Sequence, residues 1–471
     1  MSQQSYTDKR ISYWNNTAAS NGSIASSFYQ KLLCHYFTFL TSPDQKILEI
    51  GSGTGDLLNS LHPEEGLGVD FSPEMVKKAK IKYPHLEFIC ADAHTVNISG
   101  KYDIIILSDI LNDVWDVQQL LFNIGHCCHK QTKVIINYFN NAWRLPLSIV
   151  RKLKLAKPVL EQNWLSPDDI RSLLSLSDFE EISRRSFLGL PFPIPLLTSL
   201  INRFLIHLFP FNVFALTNFS VSRPIPKKSV SVNYSVSVII AARNEAGHIE
   251  ELLSRIPQLG NKTEVIFVEG GSTDKTYDTI KAIIHESDLS NVSLFKQTGT
   301  GKGDAVRLGF QKATGDIILI LDADMTVAPE DLTRFVEALV SGQGEFINGV
   351  RLVYPMENEA MRFFNVIGNK FFSIAFSWLL SQKIKDTLCG TKVMWRKDYK
   401  ILANNRQYFG EFDPFGDFDL IFGAAKMNLK IIDMPIRYRN RRYGTTNISR
   451  WSSGWLLLKM VAFAASRLKF I

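Results

Sequence analysis

The sequence predicts an α/β protein of two domains, each built on a largely parallel sheet with helices between the strands. Three observations carry this. Short apolar runs ending in an acid or a glycine alternate with helix-patterned segments over residues 46–108. The same alternation restarts at residue 236 and reaches the run Asp316-Ile317-Ile318-Leu319-Ile320-Leu321-Asp322-Ala323-Asp324. Between them, Ser222-Arg223-Pro224-Ile225-Pro226-Lys227-Lys228-Ser229-Val230-Ser231 loses hydrophobic periodicity and reads as a linker, setting the domains at 1–225 and 226–471. A chain of 471 residues also exceeds what one core comfortably serves.

In the first half, Lys46 to Ile50 is a short strand, followed by Gly51-Ser52-Gly53-Thr54-Gly55-Asp56. Glycines at alternate positions let a backbone turn sharply and approach a ligand. Gly66 to Asp70 is a second strand ending in an acid, at a spacing where a carboxylate meets a ribose. Ser72-Pro73-Glu74 caps a helix to Lys82, with proline at its first position. Phe88 to Asp92 is a third strand and Tyr102 to Ser108 a fourth, which makes a doubly wound sheet. His126 and Tyr138 are candidate bases, but each reads more simply as structural. Cys127-Cys128 reads as a helix end and turn rather than a metal site. The apolar, proline-broken segment between Ser186 and Phe211 is too interrupted to span a bilayer. It reads as a lid over an apolar acceptor, a surface that touches membrane, or a buried insertion.

These motifs resemble the class I S-adenosylmethionine-dependent methyltransferases. Leu48-Glu49-Ile50-Gly51-Ser52-Gly53-Thr54-Gly55 is similar to that family's first motif, Val69-Asp70-Phe71-Ser72 to its second and Ala91-Asp92-Ala93 to its third. The resemblance implies a Rossmann-like sheet and S-adenosylmethionine as cofactor. Glu49, Gly51, Gly53 and Gly55 would lie along the cofactor, Asp70 on the ribose and Asp92 by the adenine. It extends through Asn163-Trp164-Leu165-Ser166 to a last strand at Phe214 to Val221.

In the second half, Val236 to Ala242, Glu264 to Glu269 and Val292 to Lys296 are strands. Thr273 or Asp274 caps the helix after the second of them. Gly299-Thr300-Gly301-Lys302 imitates a phosphate-binding loop without its spacer, so ATP is rejected there. The central strand delivers Asp322 and Asp324, which share a face if extended geometry persists to its end. Two carboxylates at a strand's carboxyl end suit a hard divalent cation that also holds phosphate oxygens. Asp417 and Asp419, ahead of a helix near Leu420, read as candidate bases or as charges complementing the helix dipole. Residues 362–380 form a strongly apolar helix, and Trp451 to Phe470 a basic amphipathic one suited to an interface.

Ala242-Arg243-Asn244-Glu245, Val268-Glu269-Gly270-Gly271-Ser272-Thr273-Asp274, Gly301-Lys302-Gly303-Asp304-Ala305, Ala313-Thr314-Gly315-Asp316 and Asp322-Ala323-Asp324 resemble family 2 glycosyltransferases of the GT-A fold. Asp386 to Lys392 and Arg442 to Ile448 are similar to the branch holding the polyprenyl-phosphate sugar transferases. The resemblance implies that Glu245, Glu269, Lys302 and Asp322 hold the nucleotide sugar, and that Asp324, with Asp322, binds Mg²⁺ or Mn²⁺. It places Asp419 at the branch's acidic position, with Asp417 beside it. Glu269 departs from the family, which usually has Asp there.

Composition narrows the partners. The net charge of +7 owes much to C-terminal residues such as Arg437, Arg439, Arg441, Arg442 and Arg450, which suit phosphates or acidic lipid. No aromatic-interleaved RNA motif accompanies them, so nucleic acid is not expected. Five cysteines without a Cys-x-x-Cys pair fit a reducing cytoplasm, and the polar N-terminus carries no signal peptide. The expectation is a cytoplasmic fused transferase, with peripheral contact at the inner face of the membrane left open. Its substrates are a UDP-, GDP- or dTDP-sugar and a glycan or polyprenyl-phosphate acceptor. The rivals are a glycosyltransferase whose first half only binds, and a non-catalytic scaffold.

Overall fold

The computed structural model describes residues 3–19, 24–152, 160–226, 233–286, 289–351, 353, 363–405, 416–439, 443 and 450–471. Its internal contacts divide the chain into two compact units that change over between Ile225 and Pro226.

The first unit holds β1 (Lys46–Ile50), β2 (Glu65–Asp70), β3 (Glu87–Cys90), β4 (Tyr102–Ser108), β5 (Cys128–Phe139), β6 (Phe179–Phe187) and β7 (Thr217–Pro224). They form one sheet in the order β3-β2-β1-β4-β5-β7-β6. All pairs are parallel except those of β7, which is antiparallel to both neighbours. Ile104 to Leu107 are buried on both faces, as a central strand covered by helices requires. Helix Pro73–Lys82 starts as its sequence dictates: the Ser72 hydroxyl accepts from Met75 N at 3.2 Å, and Pro73 needs no donor. Ser166 and Asp169 close a capping box at helix Pro167–Leu176.

The last strand runs from Thr217 to Pro224, three residues later than the sequence pattern suggested. Ser222 and Arg223 are therefore sheet rather than linker. Ser222 pairs with Val134, and Arg223, only 1% exposed, donates through Nε to Glu180 Oε1 at 2.8 Å. Polar residues buried by specific partners leave no hydrophobic signature, which is why they imitated a linker.

The second unit holds β8 (Ser235–Ala242), β9 (Lys262–Glu269), β10 (Val292–Lys296), β11 (Ile317–Ile320), β12 (Phe346–Val350), β13 (Lys392–Trp395) and β14 (Ile431–Pro435). Their order is β10-β9-β8-β11-β13-β12-β14, with β13 antiparallel to both β11 and β12. Helices Phe363–Leu380 and Arg450–Leu468 pack on each other. Phe376 of the first packs with tilted rings against Phe418 and Phe422, centroids 5.3 and 5.4 Å apart. Among the described residues no helix is long and apolar enough to cross a membrane.

Each sheet reverses its strand order beside its first strand: β1 lies between β2 and β4, and β8 between β9 and β11. Ligands of open α/β sheets gather at such switch points, outside the strands' carboxyl ends.

Candidate functional site

At the first switch point, Gly51, Gly53 and Gly55 take φ of 79°, 50° and 78°. These are left-handed conformations that side chains resist. Gly51 N and Ser52 N donate to Val69 O at 2.7 and 3.1 Å, which ties the loop to the end of β2. A Cβ at Gly55 would stand 2.6 Å from the Phe88 ring, whereas one at Gly53 would meet nothing within 4 Å. Asp70 clamps this loop: Oδ2 accepts from Gly53 N at 2.9 Å and Oδ1 from Ser72 N at 2.8 Å. Burial raises its pKa against those two bonds. Each carboxylate oxygen keeps a further lone pair.

Asp92 follows β3 and pairs with His94, whose N and Nδ1 lie 2.9 and 2.6 Å from Oδ1. That imidazole holds its carboxyl below the usual range. Glu49 is 2% exposed and alternates with Leu48 and Ile50 of the apolar core, so it faces the opposite side of β1. Burial pushes its pKa well up, opposed by the Leu58 backbone. Neither residue noted as a base stands by the glycine loop. His126 ends helix Val117–Gly125 before the amino end of β5, and Tyr138 is fully buried.

Another acid does stand there, and the motifs missed it. Asp109 follows β4 with φ of 54°, and the next residue, Ile110, lies against Gly51. Tyr29 Oη donates to both Asp109 oxygens at 3.0 Å, and Asn137 Nδ2 donates to Oδ1 at 2.6 Å. Burial lifts this carboxyl to about 6 despite those donors. Helix Gln3–Ala19 reaches Ser72, after β2, and Asp113, after β4. Ser72 Oγ donates to its Asn15 at 2.6 Å, while Arg10 Nε and Trp14 Nε1 donate to Asp113 at 2.7 Å each. The signal available in the sequence was a third strand-ending acid, like Asp70 and Asp92, one residue beyond Ser108.

At the second switch point the strand ends earlier than expected. β11 stops at Ile320, and Met325 turns left-handed at φ 58°. Asp324 Oδ1 accepts from Thr326 N at 3.2 Å and Oγ1 at 2.7 Å, so Asp324 sits in a turn rather than extending the strand beside Asp322. Asp322 Oδ1 accepts from Lys302 Nζ at 2.5 Å. Both side chains keep access to solvent, at 26% and 31%. Burial works against the charged carboxylate, but Lys302, backed by Lys392 and Arg351, outweighs it and lowers the pKa. Lys302 is raised in turn: burial opposes its charge, and Asp322, Asp417 and Asp324 overcome that.

Gly390 lies against this pair, since a Cβ there would fall 2.3 Å from both Asp322 Oδ2 and Lys302 Nζ. On either side of Gly390, two buried ion pairs fix the segment Asp386 to Lys392. Arg351 holds Asp386 with both prongs, at 2.7 and 2.8 Å, and Asp386 is fully buried. Lys392 Nζ lies 3.3 Å from Asp417, with both side chains nearly inaccessible. Asp417 stands at the start of helix Phe418–Lys426 without capping it. Asp419 is buried in that helix's first turn.

Glu245 pairs with His248 Nδ1 at 2.9 Å, and both are buried. Glu269 accepts from Ser272 N within its own turn. Of the two proposed caps, Asp274 takes Thr276 N at 2.9 Å, while Thr273 N goes to Asn244 Oδ1 at 2.8 Å. Ala313 to Asp316 lie at the amino end of central strand β11, opposite the end that carries Asp322. There Glu264 accepts from Thr314 N at 2.6 Å and Gly315 N at 3.1 Å, and Asp316 accepts from Ser235 N at 3.0 Å. That motif builds the sheet and does not reach the site. Arg441, Arg442 and Gly444 lie outside the described residues, as does the Arg450 side chain. Tyr443 packs edge-on against His248 at 5.7 Å. No group of three or more His, Cys, Asp or Glu suited to a metal occurs among the described residues.

Two family models match separate parts of the chain. Residues 41–175 match the family described as methyltransferase domain, and residues 237–410 match glycosyl transferase family 2. An undecaprenyl-phosphate 4-deoxy-4-formamido-L-arabinose transferase from Pectobacterium carotovorum is 31% identical over 219 residues, 46% of this chain and 63% of its own. One of the same name from Aeromonas hydrophila is 37% identical over 113 residues, 23% of this chain and 34% of its own. The chain thus spans less than two thirds of the curated relatives it matches. Among solved structures, glucosyl-3-phosphoglycerate synthase from Mycobacterium tuberculosis overlaps with TM-score 0.37 and 18% identity, covering 50% of this chain and 80% of that one. The chain carries a methyltransferase domain followed by a family 2 glycosyltransferase domain.

Proposed function

We propose that the chain is a bifunctional transferase. The first domain moves a methyl group from S-adenosylmethionine. The second moves a sugar from a nucleotide sugar, with a divalent cation, onto an acceptor in glycan or cell-envelope polysaccharide assembly. The observation that carries this reading is the pairing of each sheet's switch point with a matching set of side chains. The glycine loop, Asp70 and Asp109 meet at one, and Lys302, Asp322 and Asp324 at the other.

The first set fits its cofactor. Left-handed glycines bring backbone N–H groups forward, the Gly53 position is open, and Asp70 keeps lone pairs for ribose hydroxyls. Bound there, S-adenosylmethionine supplies the activated methyl group. The protein's own task is chiefly alignment of the acceptor. Asp109, oriented by Tyr29 and Asn137, takes a proton from an acceptor hydroxyl or amine at a pH above about 6.

The second set offers two carboxylates of hard oxygens to Mg²⁺ or Mn²⁺, enough for a cation that shares substrate phosphates. When bound, the cation offsets charge on the leaving diphosphate. Lys302 keeps Asp322 ionised and stays charged itself. Glu245 and Glu269 border the end nearer β8 and β9, where the nucleoside is placed by this reading. Asp417 and Asp419 serve a hydroxyl acceptor as base, whereas a polyprenyl phosphate is already an anion and relies on cations such as Arg441, Arg442 and Arg450. The curated relatives, named as undecaprenyl-phosphate transferases, favour the phosphate.

The test compares Asp419→Asn with Arg442→Ala on both acceptor types. Loss of roughly 10²–10⁴ in rate in the aspartate variant alone marks a hydroxyl acceptor. Loss in the arginine variant alone marks a lipid phosphate. Full activity in both refutes this placement of the acceptor.

A further inference from the structure

Residues 188–216 leave the sheet after β6 and return at β7, and most of their large apolar side chains face solvent. Three of their polar side chains, Thr198, Asn202 and His207, are buried. The buried Asn202 accepts from Gly189 N and Leu190 N at 2.9 and 2.8 Å and donates to Leu190 O at 2.9 Å. The buried Thr198 accepts from Ile194 N at 2.9 Å and donates to Phe192 O at 2.5 Å. Leu188 and Ile206 are buried, but most of the large apolar side chains are turned out: Leu196 is 89% exposed, Phe209 84% and Phe214 61%. A segment made for water has the opposite polarity.

A second element continues this face. Trp143 Nε1 donates to Phe214 O at 3.0 Å, and Asn140 Nδ2 donates to Val213 O and Ala215 O at 2.9 Å. These bonds dock the start of helix Arg144–Lys152 beside the segment. That helix presents Leu145 at 72% and Ile149 at 56% exposure, with Arg144 and Lys152 also exposed. Charge runs one way throughout. Neither 140–152 nor 187–216 contains an Asp or Glu, while Arg144 and Lys152 in the first stretch and Arg203 in the second are exposed.

From these observations we infer that this face of the methyltransferase domain is a docking surface for an anionic lipid bilayer. Exposed apolar side chains together with the exposed Arg144, Lys152 and Arg203, and no acid in either described stretch, match an interface that is apolar inside and negative at its surface. A water-soluble protein partner would not require acids to be absent from both stretches. The face also sits at a useful edge. Register pairs both Phe139 and Phe187 with Thr217, so these segments leave the sheet at the strand ends that carry Asp109 and the Gly51 loop. An amphiphilic acceptor held in the bilayer would meet the domain at its reactive edge. The docking claim itself does not depend on either transfer reaction.

The experiment is co-sedimentation of the full chain with vesicles of 30% phosphatidylglycerol in phosphatidylcholine, without cofactor or sugar donor. The variants are the triple Leu196→Ser, Phe209→Ser, Phe214→Ser and the single Arg144→Ala. Melting curves confirm that each folds, and the pair Ile374→Ser, Trp455→Ser on the second unit's exposed helices serves as a comparison. The expected result is salt-sensitive binding that falls more than tenfold in the triple variant, falls less in Arg144→Ala and survives in the comparison pair. No vesicle binding by the unaltered chain overturns the inference. So does undiminished binding by the triple variant, or loss confined to the comparison pair. Concentration-dependent dimerisation that the triple variant abolishes, without vesicle binding, assigns the face to a second copy and overturns it as well.

Discussion

Asp109→Asn isolates the electrostatic cost built into the first site. The Asp109 carboxyl is held near 6, against an ordinary value of 3.8, because burial outweighs its bonds from Tyr29 and Asn137. A pKa raised by folding means that the native state binds the proton more tightly than the unfolded chain does. The favourable contribution is complete below the unfolded value near 3.8 and is lost as the pH climbs through about 6. At about 1.4 kcal/mol per tenfold in proton affinity, the loss approaches 3 kcal/mol. Partial exposure of the group trims this to about 2 kcal/mol. The asparagine variant cannot titrate, so its stability relative to the parent should rise by about 2–3 kcal/mol between pH 4 and pH 7. Other buried acids, such as Glu49 and Asp70, are common to both proteins and cancel in the difference. Urea midpoints read by hydrogen exchange and mass spectrometry on peptides of β4 and β5 follow this domain within the whole chain. Curves that stay parallel across that range refute the claim that folding holds Asp109 protonated. In methyl transfer the same group gives a rate that rises through about pH 6 in the parent and is low and flat in the variant.

Three further outcomes follow from the second unit and the chain's division. Gly390→Ala places a Cβ 2.3 Å from Asp322 and Lys302, so sugar transfer should fall at least tenfold while the melting temperature moves by only a few degrees; unchanged transfer rules out that contact. Arg351→Ala strands the fully buried Asp386, and denaturant unfolding should show a loss of about 3–5 kcal/mol; a change below 1 kcal/mol makes the pair incidental. A protease site inserted between residues 227 and 232, beyond the last paired residue of β7, should release two pieces that each melt cooperatively; pieces that both fail to do so place the boundary elsewhere.

Much of the fold could be read from sequence because its signals are local. A glycine loop after a short apolar run, a Ser-Pro helix start and a central strand ending in acids each lie within about ten residues. What escaped depends on partners far apart in the chain. Asp109 meets Tyr29 across 80 residues and Asn137 across 28, and no periodicity links them. Arg351 finds Asp386 across 35 residues, and Lys392 at the start of β13 reaches Asp417 at the start of helix Phe418–Lys426. Alternation along a strand also failed where the strand stopped: Asp324 answers to Thr326 and a left-handed Met325 rather than to β11. The insertion at 188–216 kept three readings open because composition alone does not say which side chains turn outward. Asn202 and Thr198 decide that by folding the segment around themselves.

The most direct test of two separate transfer sites is calorimetric titration of the whole chain, first with S-adenosylmethionine and then with a panel of UDP-, GDP- and dTDP-sugars in Mn²⁺. Two independent saturable events are expected. Asp70→Ala weakens the first at least tenfold and leaves the second untouched, as fits the loss of one or more hydrogen bonds to a charged acceptor at about 1.5–3 kcal/mol each. Asp324→Ala does the reverse, and EDTA removes only the sugar-nucleotide event. Absence of heat with S-adenosylmethionine, sugar-nucleotide binding indifferent to both Asp324 and EDTA, or a single substitution that abolishes both events would contradict this expectation.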